Sequence, residues 1–104
     1  MRLIIFPQAR ADIKTQFHYY AITQENILVA RKFMDAVDEA MEQLLSMPHM
    51  GARVIGKTPK LKDLRSWHID GFDEIRLYYL ISKQTVRIVR ILHSKRDVKA
   101  ILKK

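Results

Sequence analysis

The chain contains no cysteine among its 104 residues, so it can form neither a disulfide nor a thiolate metal site. Glycine and proline are scarce, with three of each, and this excludes collagen-like and low-complexity classes. The apolar start, residues 3–6, is cut off by Pro7 and is too short for a signal-peptide core or a membrane span. These absences predict a globular cytoplasmic protein that makes no membrane contact.

The histidines also lack a pattern that would indicate a metal site. His18, His49, His68 and His93 do not have the paired spacing of a helical zinc site, and the carboxylates near them are scattered. We therefore predict no metal and no cofactor. The length fits one domain that spans residues 1–104.

Charge is present mainly as an excess of basic residues in the second half. Residues 1–50 carry five Lys/Arg and six Asp/Glu, whereas residues 51–104 carry fourteen and five, so the halves have net charges of −1 and +9. Such asymmetry favours an acidic partner for the second half, either a nucleic-acid backbone or an acidic protein. A solvated basic surface without a partner is the simplest alternative.

The first half predicts a strand followed by two helices. Residues 1–6 are apolar and rich in Ile, and Pro7 suits the start of a helix that we expect to end near Ile22. Thr23 is the expected N-cap of a second helix, whose apolar stripe ends near Pro48. A short link between two amphipathic helices predicts an antiparallel helical hairpin.

The second half predicts an antiparallel sheet. Extended segments are expected at 54–55 and 61–70, and residues 75–81 and 86–92 form a predicted hairpin around the turn 82–85. Both faces of 86–92 are mostly apolar, which indicates an interior strand. With a short helix over 97–104, the fold class is α+β: an N-terminal strand, an antiparallel two-helix hairpin, a three-stranded antiparallel meander and a C-terminal helix.

Six short segments together resemble a known family. They are Pro7-x-Ala9-x-x-Asp12-Ile13, Ala30-x-x-Phe33-x-Asp35-Ala36, Leu45-x-x-Pro48-x-x-Gly51, Leu64-Arg65-Ser66-Trp67, Arg76-Leu77-Tyr78-Tyr79 and Arg90-Ile91-Leu92-His93-Ser94-Lys95-Arg96-Asp97. In this order they are similar to toxins of the RelE/ParE superfamily, within its ParE-like branch.

This resemblance implies a toxin that inhibits growth until a cognate antitoxin neutralises it. ParE-like members act on DNA gyrase, whereas RelE-like members cut messenger RNA on the ribosome. The departure from RelE-like enzymes is that no Tyr or His follows Arg96-Asp97. We therefore expect a gyrase inhibitor that is not a catalyst, with the ribosome-dependent endoribonuclease and an inactive, antitoxin-binding member as alternatives.

Candidate residues follow from these alternatives. The candidates for target binding are Lys62, Arg65, Arg76, Arg90, Lys95 and Arg96. An endoribonuclease needs a base, an acid and cations for the phosphorane, and Arg65, Arg90 and His93 are the candidates in that case. A structural role for His93 at the strand end is the simpler interpretation.

Arg90 is expected to share a strand face with apolar residues, so its guanidinium needs an acidic partner, for which Asp97 is a candidate. The candidates for antitoxin binding are Trp67, Tyr78, Tyr19 and Tyr20, because aromatic residues dominate interface cores. The expected antitoxin has an acidic C-terminal segment, and it adds a strand to a sheet edge or lays a helix on an apolar surface. Packing in the core is the simpler role for Trp67 and for Phe17.

Overall fold

The structure, a computed structural model, describes residues 1–54 and 63–93. In chain order the elements are β1 (Arg2–Ile5), α1 (Pro7–His18), a π-helical turn (Tyr19–Thr23), α2 (Ile27–Ser46), β2 (Ala52–Arg53), β3 (Arg65–His68), β4 (Ile75–Ser82) and β5 (Thr85–His93). The expected C-terminal helix over 97–104 lies outside the described residues.

The sheet has five strands in the order β1-β5-β4-β3-β2. The predicted three-stranded meander is confirmed as β3, β4 and β5, which pair antiparallel. The prediction was incomplete, because β1 pairs parallel with β5 and β2 pairs antiparallel with β3. The sheet is therefore mixed, and β5 is an interior strand, as its two apolar faces indicated.

The extended segments before the hairpin differ from the prediction where the structure describes them. The strands are Ala52–Arg53 and Arg65–His68, so β2 begins two residues before the predicted 54–55 segment, and residues 63–64 and 69–70 of the predicted 61–70 segment are not in a strand. The remaining parts of the two predictions, residues 55 and 61–62, lie outside the described residues. Val54 donates its backbone N–H to Leu64 O at 2.8 Å, which continues the β2–β3 ladder beyond the strand.

The helices follow the predicted pattern except where they meet. Pro7 occupies the first turn of α1, which ends at His18 and gives way to the π-helical turn. The prediction of Thr23 as the N-cap of α2 was wrong: Thr23 ends the π-helical turn, and Asn26 caps α2 by accepting from Val29 N at 3.2 Å. Glu25 adopts a positive φ of 49° in the connection.

The core lies between the helical pair and one face of the sheet. α2 buries seven residues, six of them in the predicted apolar stripe, and Phe33 and Leu44 are fully enclosed. From the sheet, Leu77, Tyr79 and Ile88 pack against them. Phe17 packs against this core, as expected.

The other face of the sheet carries a smaller apolar cluster. Leu64, Tyr78 and Leu92 are buried there, with Val54, Leu80 and Val89 packed against them. Neither helix in residues 1–54 has the length and apolar character that crossing a membrane requires, and the rest of the described chain has no helix.

A β-bulge in β5 overturns the predicted regular alternation of that strand. Tyr78 pairs with Arg90 and Tyr79 with Ile88, so Val89 is an extra residue opposite the β4 pair. After the bulge, the alternation of side chains between the two faces of the sheet is shifted by one residue. Val86, Ile88 and Ile91 therefore face the helices, whereas Leu92 belongs to the cluster on the other face.

Candidate functional site

Arg90 and Asp12 form a bidentate ion pair at the edge of β5. Arg90 Nε donates to Asp12 Oδ2 at 2.8 Å and Nη2 donates to Oδ1 at 3.0 Å. Asp12 Oδ2 also accepts the backbone N–H of Ile91 at 3.0 Å. The carboxylate thus links α1 to β5 just beyond Phe6, whose N–H donates to Ile88 O. This geometry is the strongest class of charge-assisted contact.

The expected acidic partner of Arg90 is therefore present. Within the described residues it is Asp12, and the candidate Asp97 lies outside them. The sequence held a signal for this pair. Asp12 is the sole acidic residue before Glu25 and lies three positions after the fully buried Ala9, on the buried face of α1.

Arg65 belongs to a network that closes one end of the sheet. Its Nη1 donates to Gly51 O at 2.8 Å and to His49 O at 3.1 Å. The Tyr79 hydroxyl donates to Pro48 O at 2.8 Å and accepts the Gly51 N–H at 2.9 Å. We call these five residues the Tyr79 network, and it fixes the connection between α2 and β2.

Arg76 lies on the sheet face away from the helices. Its Nη2 donates to Ser66 Oγ at 3.0 Å. Tyr78, on the same face, is buried, and burial raises the pKa of its hydroxyl while the positive charge of Arg76 partly opposes the increase.

His93 ends β5 opposite Ile75, on the face toward the helices. Its Nδ1 is buried and has no hydrogen bond within the described part of the chain. The three residues considered for catalysis are thus engaged in different places: Arg65 with backbone carbonyls beside α2, Arg90 with α1, and His93 near the π-helical turn.

The four aromatic candidates for antitoxin binding have different environments. Trp67 packs against the core and donates its indole N–H to Gln43 Oε1 at 3.0 Å. Tyr78 and Tyr20 are buried, and neither presents its ring as an open surface. Tyr19 alone among the four is exposed, and its hydroxyl accepts from Gln24 Nε2 at 3.1 Å.

The remaining candidates for target binding, Lys62, Lys95 and Arg96, lie outside the described residues. The sequence ranges 55–62 and 94–104 hold eight Lys/Arg and one Asp, whereas the described ranges 1–54 and 63–93 hold eleven and ten. The basic excess of the chain therefore belongs almost entirely to two segments of its sequence.

A groove between α1 and α2, which the sequence did not indicate, lies on the helical side of the molecule. It has a volume of about 480 Å³ and is lined by Arg10, Ala11, Ile13, Lys14, Phe17 and Met34. We call it the α1–α2 groove. The sequence analysis assigned one apolar face to α1, and only the crossing of two helices creates a concavity beside that face.

The charges at this groove are all basic. Arg10 and Lys14 are exposed on α1, and the helix's one acidic residue, Asp12, is paired with Arg90. Within residues 1–54 and 63–93, no three His, Asp or Glu side chains are grouped so that they could hold a metal ion. The groove is suited to an apolar surface with acidic neighbours, and therefore to protein contact.

This arrangement of a strand, a helical pair and a mixed sheet is the RelE/ParE-like fold of type II toxins. A chain of the chromosomal ParDE TA system from P. aeruginosa superposes with a TM-score of 0.73 at 18% identity, covering 91% of this chain and 97% of that chain. A YoeB/ParE toxin from Agrobacterium tumefaciens gives 0.59 at 14% identity, covering 89% and 98%. A copper-bound mutant toxin from Helicobacter pylori gives 0.59 at 17%, covering 94% and 98%.

Sequence comparison defines the family more narrowly. The family model described as ParE toxin of type II toxin-antitoxin system, parDE, matches residues 3–98. The chain belongs to this ParE toxin family, as its sequence segments suggested. No curated protein matches it significantly.

Proposed function

We propose that this ParE-family toxin inhibits growth in the cytoplasm as a protein ligand of DNA gyrase, without catalysis. The observation that carries the proposal is the engagement of the candidate catalytic cations. Arg90 is held by Asp12 and Arg65 by backbone carbonyls, so both guanidinium groups are already engaged within the protein, in different parts of the fold. A phosphoryl-transfer site requires its acid, base and cations around one reacting atom.

The test is a pair of assays on the purified full-length chain. We expect inhibition of gyrase supercoiling, or accumulation of gyrase-cleaved DNA, and intact messages when RNA ends are mapped after brief induction. Message cleavage during growth arrest without an effect on gyrase would establish the ribosome-dependent endoribonuclease instead. Unimpaired growth on induction would identify an inactive, antitoxin-binding member.

We further propose that the partner is a ParD-like antitoxin with an acidic, amphipathic C-terminal segment, and that this segment lies in the α1–α2 groove as a helix. The apolar floor of Ile13, Phe17 and Met34 offers the contact, and Arg10 and Lys14 attract the acidic residues. Addition of a strand is less favoured at β5, because Asp12 already accepts the Ile91 N–H beyond β1.

Charge reversal tests this surface with a matched control. The double variant Arg10→Glu, Lys14→Glu should arrest growth like the unchanged chain but should no longer be rescued by the adjacent antitoxin gene. The control, Arg31→Glu with Lys32→Glu, reverses two exposed charges on α2 that do not line the groove, and rescue should persist. Rescue of both double variants would exclude the groove as the antitoxin site.

A further inference from the structure

A second cavity opens where the end of α1, the π-helical turn and the end of β5 meet. It has a volume of about 300 Å³, and its lining includes Gln16, Tyr19, Tyr20, Gln24, Glu74 and His93. We call it the Tyr20 pocket. It lies at the opposite end of α1 from Pro7, and it shares no lining residue with the α1–α2 groove.

The Tyr20 hydroxyl is buried in the lining of this pocket. The residue is 5% exposed, and its hydroxyl makes no hydrogen bond within the described residues. Gln16 and Glu74 approach closely enough to alter its pKa, yet neither is in hydrogen-bonding geometry. Leaving such a group unsatisfied costs about 1–3 kcal/mol, so the absence of a partner needs an explanation.

The position of this hydroxyl is fixed by aromatic packing. The Tyr20 ring lies 5.6 Å from Phe33 and 5.4 Å from Phe72, measured between ring centroids. These contacts hold the ring in the core, so the hydroxyl cannot turn to solvent without disrupting them. His93 Nδ1 is a second buried polar atom of the lining that has no hydrogen bond within the described residues.

The charge of the pocket contrasts with that of the whole protein. The chain carries a net charge of +8 when histidine is counted as neutral. Among the described residues that line the pocket, however, Glu74 is the one charged side chain. Burial raises the pKa of the Tyr20 hydroxyl and Glu74 adds to the increase, so the phenol stays neutral and can accept a hydrogen bond. The exposed ring of Tyr19, whose centroid lies 5.6 Å from that of Tyr20, supplies a face suited to a cation.

We propose that the Tyr20 pocket binds an organic cation with several N–H donors, an ammonium or a guanidinium group. Glu74 neutralises its charge, and the Tyr20 hydroxyl and His93 Nδ1 accept its hydrogen bonds. The cation belongs either to a free amine or to a Lys or Arg side chain of a bound protein, since both present the same chemistry. The inference does not depend on the gyrase proposal.

Calorimetric titration of the full-length chain with agmatine, which carries both cationic groups, tests the pocket. We expect a dissociation constant on the order of 1 mM or lower, together with NMR shifts at Tyr20 and His93. Glu74→Gln should weaken binding roughly tenfold and Tyr20→Phe roughly threefold, as loss of a charged and of a neutral hydrogen bond predicts.

Asp73→Asn is the matched control, because Asp73 is an exposed carboxylate next to Glu74 that does not line the pocket. Its dissociation constant should stay within about twofold of that of the unchanged chain, since it loses only a screened long-range attraction. The proposal is overturned if agmatine does not bind, if Asp73→Asn weakens binding as much as Glu74→Gln, or if neutral N-butylurea binds equally well.

A second titration distinguishes the two sources of the cation. A short peptide with blocked termini and one arginine is compared with the same peptide carrying citrulline. Tighter binding of the arginine peptide than of agmatine identifies a protein side chain as the ligand. Binding of agmatine without binding of the peptide identifies a free amine.

Discussion

The Tyr79 network and the Tyr20 pocket both place a tyrosine hydroxyl in the interface between helices and sheet, but the two hydroxyls differ in their hydrogen bonds. The Tyr79 hydroxyl donates to Pro48 O and accepts from Gly51 N, and Arg65 holds the same backbone segment. The Tyr20 hydroxyl is as well enclosed and has no such bonds within the described residues.

This difference separates a structural role from a role in binding. The Tyr79 hydroxyl and Arg65 bond to backbone groups of the same segment, so the network joins α2 to the sheet. The Tyr20 pocket keeps fixed polar atoms beside a cavity, which is the form of a preorganised binding site. Four variants or conditions test this contrast.

The largest expected effect comes from Gly51→Ala. A Cβ at this position would lie 2.4 Å from Tyr79 Oη and 2.6 Å from Ser66 O, so the network must separate to admit it. We expect a loss of about 3 kcal/mol in the free energy of unfolding, measured by urea denaturation. Gly71→Ala is the control: its Cβ meets nothing within 4 Å, and its φ of +84° alone should cost about 1 kcal/mol. Equal losses would show that close approach is not what requires glycine at position 51.

Tyr79→Phe should have the next largest effect. It removes one hydroxyl and leaves the Gly51 N–H and the Pro48 carbonyl without their partner, at a cost of about 2 kcal/mol. The same denaturation experiment measures it. A loss below about 0.5 kcal/mol would mean that water replaces the hydroxyl and that the network is not structural.

Alkaline pH should destabilise the protein through its buried tyrosines. Burial raises the pKa values of Tyr20, Tyr78 and Tyr79 above 10.0 in the folded state. The folded protein therefore keeps phenol protons at pH values where the unfolded chain has released them. The free energy of unfolding falls as the pH rises from 10.0 through the folded-state pKa values, by up to about 1.4 kcal/mol per pH unit for each tyrosine.

Unfolding free energies compared between about pH 8 and about pH 11 would measure this loss. Tyr78→Phe should reduce the pH dependence, because it removes one of the three buried tyrosines. A pH dependence that Tyr78→Phe does not alter would contradict burial as its cause.

Tyr20→Phe should be the variant that does not reduce stability. Because the hydroxyl has no described hydrogen bond to lose and its unsatisfied state is itself unfavourable, we expect the free energy of unfolding to stay the same or to rise by about 1 kcal/mol. The same variant should weaken agmatine binding, so stability and binding are affected separately. A loss as large as that of Tyr79→Phe would show that the two hydroxyls do not differ and would remove the contrast.

Much of the fold could be predicted because it depends on the local periodicity of apolar residues. The start of α1 at Pro7, the α2 stripe and the β4–β5 hairpin depend on residues close together in sequence. The N-cap was less certain, because Thr23 and Asn26 both suit that role and the π-helical turn decides between them.

The candidate site was predicted less well, because its contacts are long-range. The sequence showed that Arg90 needs an acidic partner, but Asp12 lies 78 positions away. In addition, a β-bulge that no local pattern predicts shifts the alternation of side chains along β5. The α1–α2 groove and the Tyr20 pocket form only where separate elements meet.

The sequence by itself determined the ParE family, the α+β class and the basic excess of residues 51–104, because order, period and charge are properties of the chain. Only the tertiary structure decided which polar groups are satisfied. Whether Tyr79 or Tyr20 finds a partner depends on which backbone atoms the packed elements bring within about 3 Å, and that distance is fixed by folding.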